Sequence, residues 1–392
     1  MSSAGKCKVA IVGGGIVGVS TAYFLASRGL GEGVVLIEST RIAAAASGKA
    51  GGFLARDWGT PGSTQELHER GFDLHEELAK VFGLASYRKL PTLQVDVKAR
   101  ASKASKKLKA SDDAKDEVLL DPATTKSRMM DPDTAQVTPP ELIDNMWSKA
   151  QQAGVELINA KATGLERLEG GGFAIKLVEN GKSTADQTSS ERTVEAEKVV
   201  LAMGPWTVDA EDWLGKSKLT VPMVGIASSS MVVHAGEGTK IAATACFCGD
   251  DAQGCHLEMY PRPDNSVYVC GFGGSPHLDK ATLQQTGPDD VKPNEDRVPL
   301  AQKSFAHLTT GLSEGNERVD LQCCLRPCTD DATPMIGPVE PGKYDLLIGT
   351  GHNCWGILWG PITGSILADL VEKQATDVDL RPFNPLRFTR AA

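Results

Sequence analysis

Residues 9–18 of the chain read VAIVGGGIVG, and residues 34–38 read VVLIE. An apolar strand, a glycine-rich turn, an apolar helix and a second apolar strand make one complete βαβ unit. Each glycine has its own expected role: Gly13 permits the tight turn, Gly15 lets the backbone approach a pyrophosphate, and Gly18 lets the helix pack closely on the strand. The stretch therefore predicts a dinucleotide-binding fold of the α/β class.

The helix after this turn, expected from Ile16 to about Arg28, would direct its free backbone N–H groups and the positive end of its dipole at the phosphates. Glu38 ends the second strand twenty residues after Gly18. A carboxylate there accepts hydrogen bonds from both hydroxyls of an adenosine ribose and disfavours a 2′-phosphate, so NADP is not expected. A plain glycine turn is the alternative, but the strand, the helix and the acid are all present.

The composition describes a globular protein of two domains. Of its 392 residues, 41% are hydrophobic and 23% are charged, and this length exceeds one ordinary core. A formal charge of −9 argues against nucleic-acid binding, which requires a clustered basic surface. The first strand begins within ten residues of Met1, and we expect no membrane span. A cytoplasmic protein is expected, and a removed transit peptide is left open.

A basic block from Lys98 to Lys109 is followed directly by an acidic block from Asp112 to Glu117. Adjacent blocks of opposite charge predict a solvated helix or loop, with a partner-binding surface as the alternative. Residues 91–134 as a whole are polar and charge-rich, so we expect few strands there and a departure from the first domain.

Nine cysteines, an odd number without a secretory signal, predict reduced thiols. Cys246, Cys248, Cys255 and His256 together offer four zinc ligands, yet their spacing fits no standard zinc module. The alternative is that these cysteines are small buried side chains, which agrees with the apolar strand pattern around Cys246. No metal is therefore expected.

The remaining sequence predicts two kinds of sheet. Short strands are expected at 155–158, 164–168, 173–178, 193–196, 198–202 and 345–349. The apolar strand 198–202 is typical of a parallel sheet interior. Residues 219–320 instead show strands at regular spacing between Pro and Gly turns, which indicates an antiparallel sheet.

Five motifs follow one another along the chain: GGGIVG with Glu38, SGKAGG at 47–52, LAMGPW at 201–206, LRP at 325–327 with TPMIGP at 333–338, and GHNCWGI at 351–357. In this order they resemble the FAD-dependent amine and amino-acid oxidoreductases of the D-amino-acid oxidase superfamily, in the branch of glycine oxidase and monomeric sarcosine oxidase. The resemblance implies a Rossmann-like FAD-binding domain of the glutathione-reductase type from residues 1–90, 135–210 and 320–392. It also implies a substrate domain with a mainly antiparallel sheet from residues 91–134 and 211–319.

The resemblance also implies which residues hold FAD: Gly13, Gly15, Ile16, Val17, Gly18, Glu38, Ser47, Gly48, Gly51, Gly52, Ala162, Ala202, Gly204, Trp206, Gly351, Asn353, Gly356 and Ile357. The second glycine turn would place a helix N-terminus beside the flavin ring, where negative charge develops on reduction. The chain departs from the family at two places. It lacks the Asn usual near Lys49 or Ala50, and Leu358 stands where sarcosine oxidase has a lysine.

Arg326 matches the arginine with which glycine oxidase and D-amino-acid oxidase hold the substrate carboxylate, a group that a guanidinium binds bidentately. An ion pair with Asp330 or Asp331 is the alternative. Four further side chains are expected to line the same pocket: Tyr260, Arg262, His352 and Trp355. His352 has the competing role of a structural histidine, and we do not expect it to act as a base.

Cys324 lies at or next to the position where sarcosine oxidase bonds its flavin covalently. A buried, unreactive thiol is the alternative, because only a thiolate attacks.

The resemblance implies oxidation of the C–N bond of a small amine or amino acid, of the glycine, N-methyl or D-amino-acid type, by hydride transfer to flavin N5. O2 is the expected acceptor and H2O2 the product. A dehydrogenase with another electron acceptor is one alternative. A flavin-binding interaction protein with vestigial catalysis, using the charged segment 98–117, is the other.

Overall fold

The computed structural model describes residues 6–98, 117–179, 192–215, 218–236, 239–309, 312 and 318–389. Most of the charged segment, residues 99–116, lies outside the described residues. The same holds for residues 180–191, which lie between the predicted strands 173–178 and 193–196.

The strands are, in chain order, β1 (Cys7–Val12), β2 (Val34–Glu38), β3 (Phe53–Ala55), β4 (Arg88–Val97), β5 (Glu117–Val118), β6 (Thr125–Gln136), β7 (Glu156–Arg167), β8 (Phe173–Glu179), β9 (Arg192–Leu201), β10 (Met223–His234), β11 (Lys240–Ile241), β12 (Ala245–Cys248), β13 (Glu258–Pro261), β14 (Ser266–Cys270), β15 (His277–Leu278), β16 (Arg318–Thr329), β17 (Met335–Glu340) and β18 (Lys343–Thr350). The α-helices are α1 (Ile16–Ser27), α2 (Ala46–Lys49), α3 (Gln65–Phe82), α4 (Pro139–Gln152), α5 (Ala210–Leu214), α6 (Lys280–Leu283), α7 (Arg297–Leu308) and α8 (Gly356–Val371). Short 3₁₀ helices lie at Gly204–Asp209, Asn353–Trp355, Arg381–Phe383 and Pro385–Phe388.

The first sheet contains the predicted βαβ unit. Its central strands β7, β2, β1, β9 and β18 run parallel, and β8 and β17 add antiparallel pairs. The α/β prediction is confirmed, including the parallel strand near residues 198–202.

Two pairs of predicted short strands are each one long strand, β7 and β9. Strand β7 pairs with β2 in parallel from Glu156 to Asn159 and with β8 in antiparallel from Ala160 to Arg167, with a register shift between Ala162 and Gly164. The start of β9 pairs with β8, and its end enters the parallel sheet beside β1. The sequence pattern breaks where the partners change, which is why it indicated separate strands.

The second sheet has nine strands, in the order β15-β10-β14-β13-β12-β4-β6-β3 with β16 paired to β10. All its pairs are antiparallel except β12 with β4. The expectation of few strands in residues 91–134 was wrong, because β4 and most of β6 lie there. Most side chains in the first three quarters of β6 are exposed, so this strand carries no apolar alternation that the sequence could reveal.

Helix α8 packs against α1 through glycines. A Cβ on Gly364 would lie 2.3 Å from Ser20 Cβ, and one on Gly360 would lie 2.6 Å from the Ile16 side chain. The helices therefore approach each other more closely than larger residues would allow.

The segment Asn353–Val371 has the length and composition of a membrane-crossing helix, contrary to the expectation that no stretch would. In this fold, 72% of its most apolar window is buried inside the protein. Its apolar residues pack against α1, α3 and β18 and belong to the largest hydrophobic core. Burial in that core accounts for its hydropathy.

Helix α3 is tied to its surroundings by two buried histidines. His68 Nδ1 lies 3.0 Å from the Ala55 carbonyl oxygen, and His75 Nε2 lies 2.8 Å from the Ile357 carbonyl oxygen. The second bond joins α3 to the first turn of α8. Burial lowers the pKa of His75 to about 4, so this ring is neutral in the folded protein near pH 7.

Gly364→Ala tests the packing of α8 on α1. Alanine is the better helix former by about 1 kcal/mol, yet its methyl group would overlap Ser20. We expect the free energy of unfolding, measured with urea, to fall by about 1–3 kcal/mol. The control is Gly236→Ala, because nothing lies within 4 Å of the Cβ position there. Equal stability of the two variants would contradict the packing argument.

Because its pKa is lowered by burial, His75 should make the folded protein less stable as the pH falls. The unfolded chain binds a proton at this histidine below about pH 6.5, whereas the folded chain binds it only below about pH 4. The histidine's contribution is therefore complete above pH 6.5 and is lost as the pH falls through this window, by about 3 kcal/mol in total. We expect His75→Gln to lose correspondingly less free energy of unfolding between pH 6.5 and 4. The control is His277→Gln at an exposed histidine; an equal change there would refute the assignment.

Candidate active site and cofactor cleft

A cavity of about 1040 Å³ is lined by residues of both sheets. One end lies at the turn between β1 and α1, and the other is lined by the second sheet and the segment before α8. This volume is at the upper end of small-molecule sites and fits a ligand as large as a dinucleotide together with a substrate.

The dinucleotide end begins at the predicted glycine turn. Gly14 N donates to Glu38 Oε2 at 2.7 Å, and Ile16 N donates to Ser47 Oγ at 2.9 Å. Apart from the Ser47 hydroxyl on Ile16 N, no side chain of the described residues caps the N-terminus of α1. The free N–H groups of its first turn therefore offer the donors that a phosphate requires.

Two glycines of the turn are needed by the protein backbone itself. Gly13 has φ +110°, and a Cβ there would lie 2.3 Å from the Ala202 carbonyl oxygen. A Cβ on Gly18 would lie 1.9 Å from the Gly13 carbonyl oxygen. Gly18 does not line the cavity; it lets α1 rest on the turn.

Most of the residues predicted to hold FAD do line the cavity: Gly13, Gly15, Ile16, Val17, Glu38, Ser47, Gly51, Gly52, Ala162, Ala202, Gly204, Trp206, Asn353, Gly356 and Ile357. Gly18, Gly48 and Gly351 do not. A Cβ on Gly48 would lie 2.2 Å from the Ala43 carbonyl oxygen, and one on Gly351 would lie 2.8 Å from the Thr329 side chain. These glycines shape the turns behind the wall.

Two features of the cavity fit a flavin dinucleotide. The N-terminus of α1 suits the pyrophosphate. The Oδ1 atom of Asn353 is buried without a hydrogen-bond partner in the described residues, and it belongs to the segment in front of α8. A Cβ on Gly356, which lines the cavity, would have the His352 Cβ as its nearest neighbour among the described residues outside its own helix, at 3.6 Å, so a side chain is not excluded there by close contact.

At the two positions where the sequence departs from the family, the side chains have structural roles outside the cavity wall. Lys49 does not line the cavity; its Nζ donates to the Cys323 carbonyl at 3.0 Å and to the Pro288 carbonyl at 3.2 Å. It therefore fastens the SGKAGG segment to β16. Leu358 is fully buried in the core beneath the cavity.

The opposite end of the cavity is built from alternate residues of four strands, which share one face of the second sheet. Four cross-strand pairs line it: Glu258 with Cys270, Tyr260 with Tyr268, Ile226 with Arg326, and Ser228 with Cys324. The two tyrosine rings are stacked, with centroids 5.9 Å apart. A Cβ on Gly51 would lie 2.6 Å from the Tyr260 ring, so this glycine lets the SGKAGG segment lie against the stack.

Arg326 has no carboxylate partner among the described residues. Its Nε is buried and has no hydrogen-bond partner in the described residues. Asp331 pairs with Arg387 instead, Oδ2 to Nε at 2.8 Å, and forms no ion pair with Arg326 among the described residues. Asp330 forms no ion pair with Arg326 either, within the part of the chain that the structure describes.

His352 and Trp355 line the cavity in different ways. His352 Nε2 bonds Thr363 Oγ1 at 2.9 Å, and burial lowers the pKa of this histidine to about 4. The ring is therefore neutral near pH 7 and occupied by a structural bond. Trp355 packs edge-to-face on His68, with ring centroids 4.5 Å apart.

Cys324 faces the cavity as a protonated thiol. Burial raises its pKa to about 11, although the charges of Arg326 and Lys49 lower it. This environment favours the unreactive alternative over a flavin-bonding thiolate.

The cysteines weighed as zinc ligands are side chains of the core. Cys246 and Cys248 are buried in β12, and Cys255 Sγ donates to the Phe272 carbonyl at 3.4 Å. His256 is exposed and lies 3.7 Å from Asp250. The described residues contain no group of three His, Cys, Asp or Glu side chains suited to a metal ion.

Sequence reasoning missed part of the cavity wall: Phe53, Trp58, Phe247, Glu258, Tyr268 and Cys270. The alternation of side chains along a strand could have revealed some of them. Residues 258 and 260 are two apart and so share one face of their strand, as do residues 268 and 270. Arg262 was expected in the wall but is not part of it. Its guanidinium lies 5.5 Å from the centre of the Tyr268 ring.

Comparisons with known proteins agree with this architecture. The family model described as FAD dependent oxidoreductase (DAO) matches residues 8–370. A protein of Schizosaccharomyces pombe with a provisional oxidoreductase assignment is 27% identical over 377 residues, 93% of each chain. The glycine oxidase of Geobacillus kaustophilus is 26% identical over 412 residues, covering 97% of this chain and 96% of the relative.

The crystal structure of a glycine oxidase from Geobacillus kaustophilus has the same fold, with a TM-score of 0.73 and 22% identity, covering 97% of this chain and 99% of that one. The predicted resemblance and the predicted fold class are thus confirmed. The chain belongs to the DAO family of FAD-dependent oxidoreductases, and FAD is its cofactor.

Proposed function

We propose that this oxidoreductase oxidises the C–N bond of a small amine that carries a carboxylate, such as an α-amino acid. The observation that carries the proposal is Arg326, a guanidinium at the cavity wall that no carboxylate of the described residues neutralises. Arginine binds a carboxylate bidentately, which fixes both its position and its orientation. The similarity to glycine oxidase supports the same class of substrate.

We propose that FAD is held by the residues that line the cleft. Glu38 would take the ribose hydroxyls, the first turn of α1 the pyrophosphate, and the segment from Asn353 to Ile357 the flavin ring. When bound, FAD supplies the acceptor for the hydride that leaves the substrate's α-carbon. The resulting imine is hydrolysed by water to a carbonyl compound and ammonia or an amine.

In this proposal, hydride transfer depends on how the substrate is positioned and not on a side-chain base. His352 is neutral and already bonded to Thr363. The aromatic side chains Tyr260, Tyr268 and Trp355 enclose the reacting end and exclude water from it.

We propose O2 as the electron acceptor, with H2O2 as the second product. A dehydrogenase that uses another acceptor is the nearest variant, and formation of peroxide during turnover distinguishes the two. The interaction-protein alternative rests on the family departures at Lys49, Ala50 and Leu358 and on the charged segment 98–117, most of which lies outside the described residues. No observation in the described part of the cavity favours it.

Arg326→Leu tests the carboxylate site. Each charge-assisted hydrogen bond contributes roughly 1.5–3 kcal/mol, so loss of two should lower kcat/KM for an amino acid by about 10²-fold or more. The control is Arg318→Leu, the same change on the same strand at an exposed arginine paired with Asp320. Turnover would be followed as anaerobic bleaching of the flavin band. Full activity of Arg326→Leu on a carboxylate substrate would refute the assignment.

Acid precipitation tests the state of the flavin. A thiol with a pKa near 11 is almost entirely protonated at neutral pH, so Cys324 should form no bond to FAD. We expect trichloroacetic acid to give a colourless pellet and a yellow supernatant, and Cys324→Ser to retain its FAD. A yellow pellet that becomes colourless in Cys324→Ser would establish the covalent link instead.

A further inference from the structure

Glu258 places a carboxylate at the same end of the cavity as Arg326. It lies on β13, opposite Cys270 and two residues from Tyr260, and it lines the cavity with both. A partly buried carboxylate is costly unless hydrogen bonds or an opposite charge compensate it. Its surroundings therefore indicate what it binds.

One oxygen of this carboxylate is fixed and the other is open. Glu258 Oε2 accepts hydrogen bonds from the Tyr260 hydroxyl and, at 3.5 Å, from Cys270 Sγ. In the described residues Oε1 has no hydrogen-bond partner, and it is not among the buried unsatisfied atoms. The side chain is thus held by two neutral donors and presents a free acceptor to the cavity.

The neighbouring donors keep their protons. Burial raises the pKa of Tyr260 well above its usual range, and Glu258 raises it further. The pKa of Cys270 is also raised, first by burial and then by the charge of Glu258. Tyr260 and Cys270 are therefore the donors of these two hydrogen bonds, and the carboxylate of Glu258 is the acceptor.

Glu258 and Arg326 do not neutralise each other. No ion pair joins them, although both charges act on the same two thiols. Burial raises the pKa of Cys270 and Cys354; beyond burial, Glu258 raises it and Arg326 lowers it. The reacting end thus presents a separated positive and negative charge around one space.

We propose that Glu258 binds the ammonium group of a zwitterionic amino acid while Arg326 binds its carboxylate. The inference rests on the proposed function and adds a specificity residue to it. It defines the substrate as an α-amino acid that enters with its nitrogen protonated and donating to Glu258 Oε1. The nitrogen then releases one proton to solvent, so that its lone pair forms the imine as the hydride leaves. A carboxylic acid without the amine would place an apolar group against Glu258 and is disfavoured.

Two ligands of the same shape test this recognition without any chemistry. 2-Aminoisobutyrate and pivalate differ only in an ammonium group in place of a methyl group, and neither has a hydrogen on the α-carbon that could leave as hydride. Their binding to FAD-loaded protein is measured by calorimetry in the wild type, Glu258→Gln, Glu258→Asp and Glu295→Gln. Glu295→Gln removes the same charge at an exposed position.

We expect the wild type and Glu295→Gln to bind 2-aminoisobutyrate about 10- to 100-fold more tightly than pivalate. Glu258→Gln should lose this preference, because the neutral amide keeps the size but not the charge, and Glu258→Asp should keep most of it. An undiminished preference in Glu258→Gln would overturn the inference.

The same titrations separate this inference from the proposed function. Pivalate binding that is lost in Arg326→Leu supports the carboxylate site whatever Glu258 does. If the wild type binds neither ligand, or if Arg326→Leu binds pivalate normally, the carboxylate site is refuted and the assignment of Glu258 falls with it.

Discussion

The structure depends on backbone lying directly on backbone at the turn between β1 and α1. The Cβ positions of Gly13 and Gly18 fall 2.3 Å and 1.9 Å from carbonyl oxygens of Ala202 and Gly13. Side chains are excluded at both places, so the end of β9, the turn and α1 form one rigid corner. Because α8 packs on α1 through Gly360 and Gly364, this corner also fixes the second segment that lines the cleft.

The βαβ unit could be predicted because its signals are local. Strand, turn, helix and acid lie within thirty residues, and each has a steric or electrostatic reason for its position. The long strands β4 and β6 could not, because much of β6 is exposed and its pairing with β4 carries no apolar alternation. Likewise, β7 and β9 were predicted as fragments, since each changes its pairing partner along its length.

In the cleft, too, residues could be predicted from local sequence motifs but not from contacts between distant parts of the chain. Residues of the glycine motifs were assigned from the motifs, and most of them line the cavity. Glu258, Tyr268 and Phe247 belong to no motif, and only the pairing of distant strands brings them to one face. Lys49 is the opposite case. It stands in a glycine motif that was assigned to the cofactor, but its side chain donates to the carbonyls of Pro288 and Cys323 and so joins this motif to neighbouring backbone.

Burial determines the protonation of the polar groups at the end of the cavity that is lined by the second sheet. It keeps His352 neutral and keeps the proton on Cys324, so neither a histidine base nor a thiolate is available there near neutral pH. Among the described residues of the second sheet that line the cavity, the acidic and basic side chains are those of Glu258 and Arg326, with His277 the one histidine. A site with opposite charges and neither a histidine base nor a thiolate selects its substrate by charge arrangement, and the rate then depends on how closely that arrangement holds the α-carbon against the cofactor.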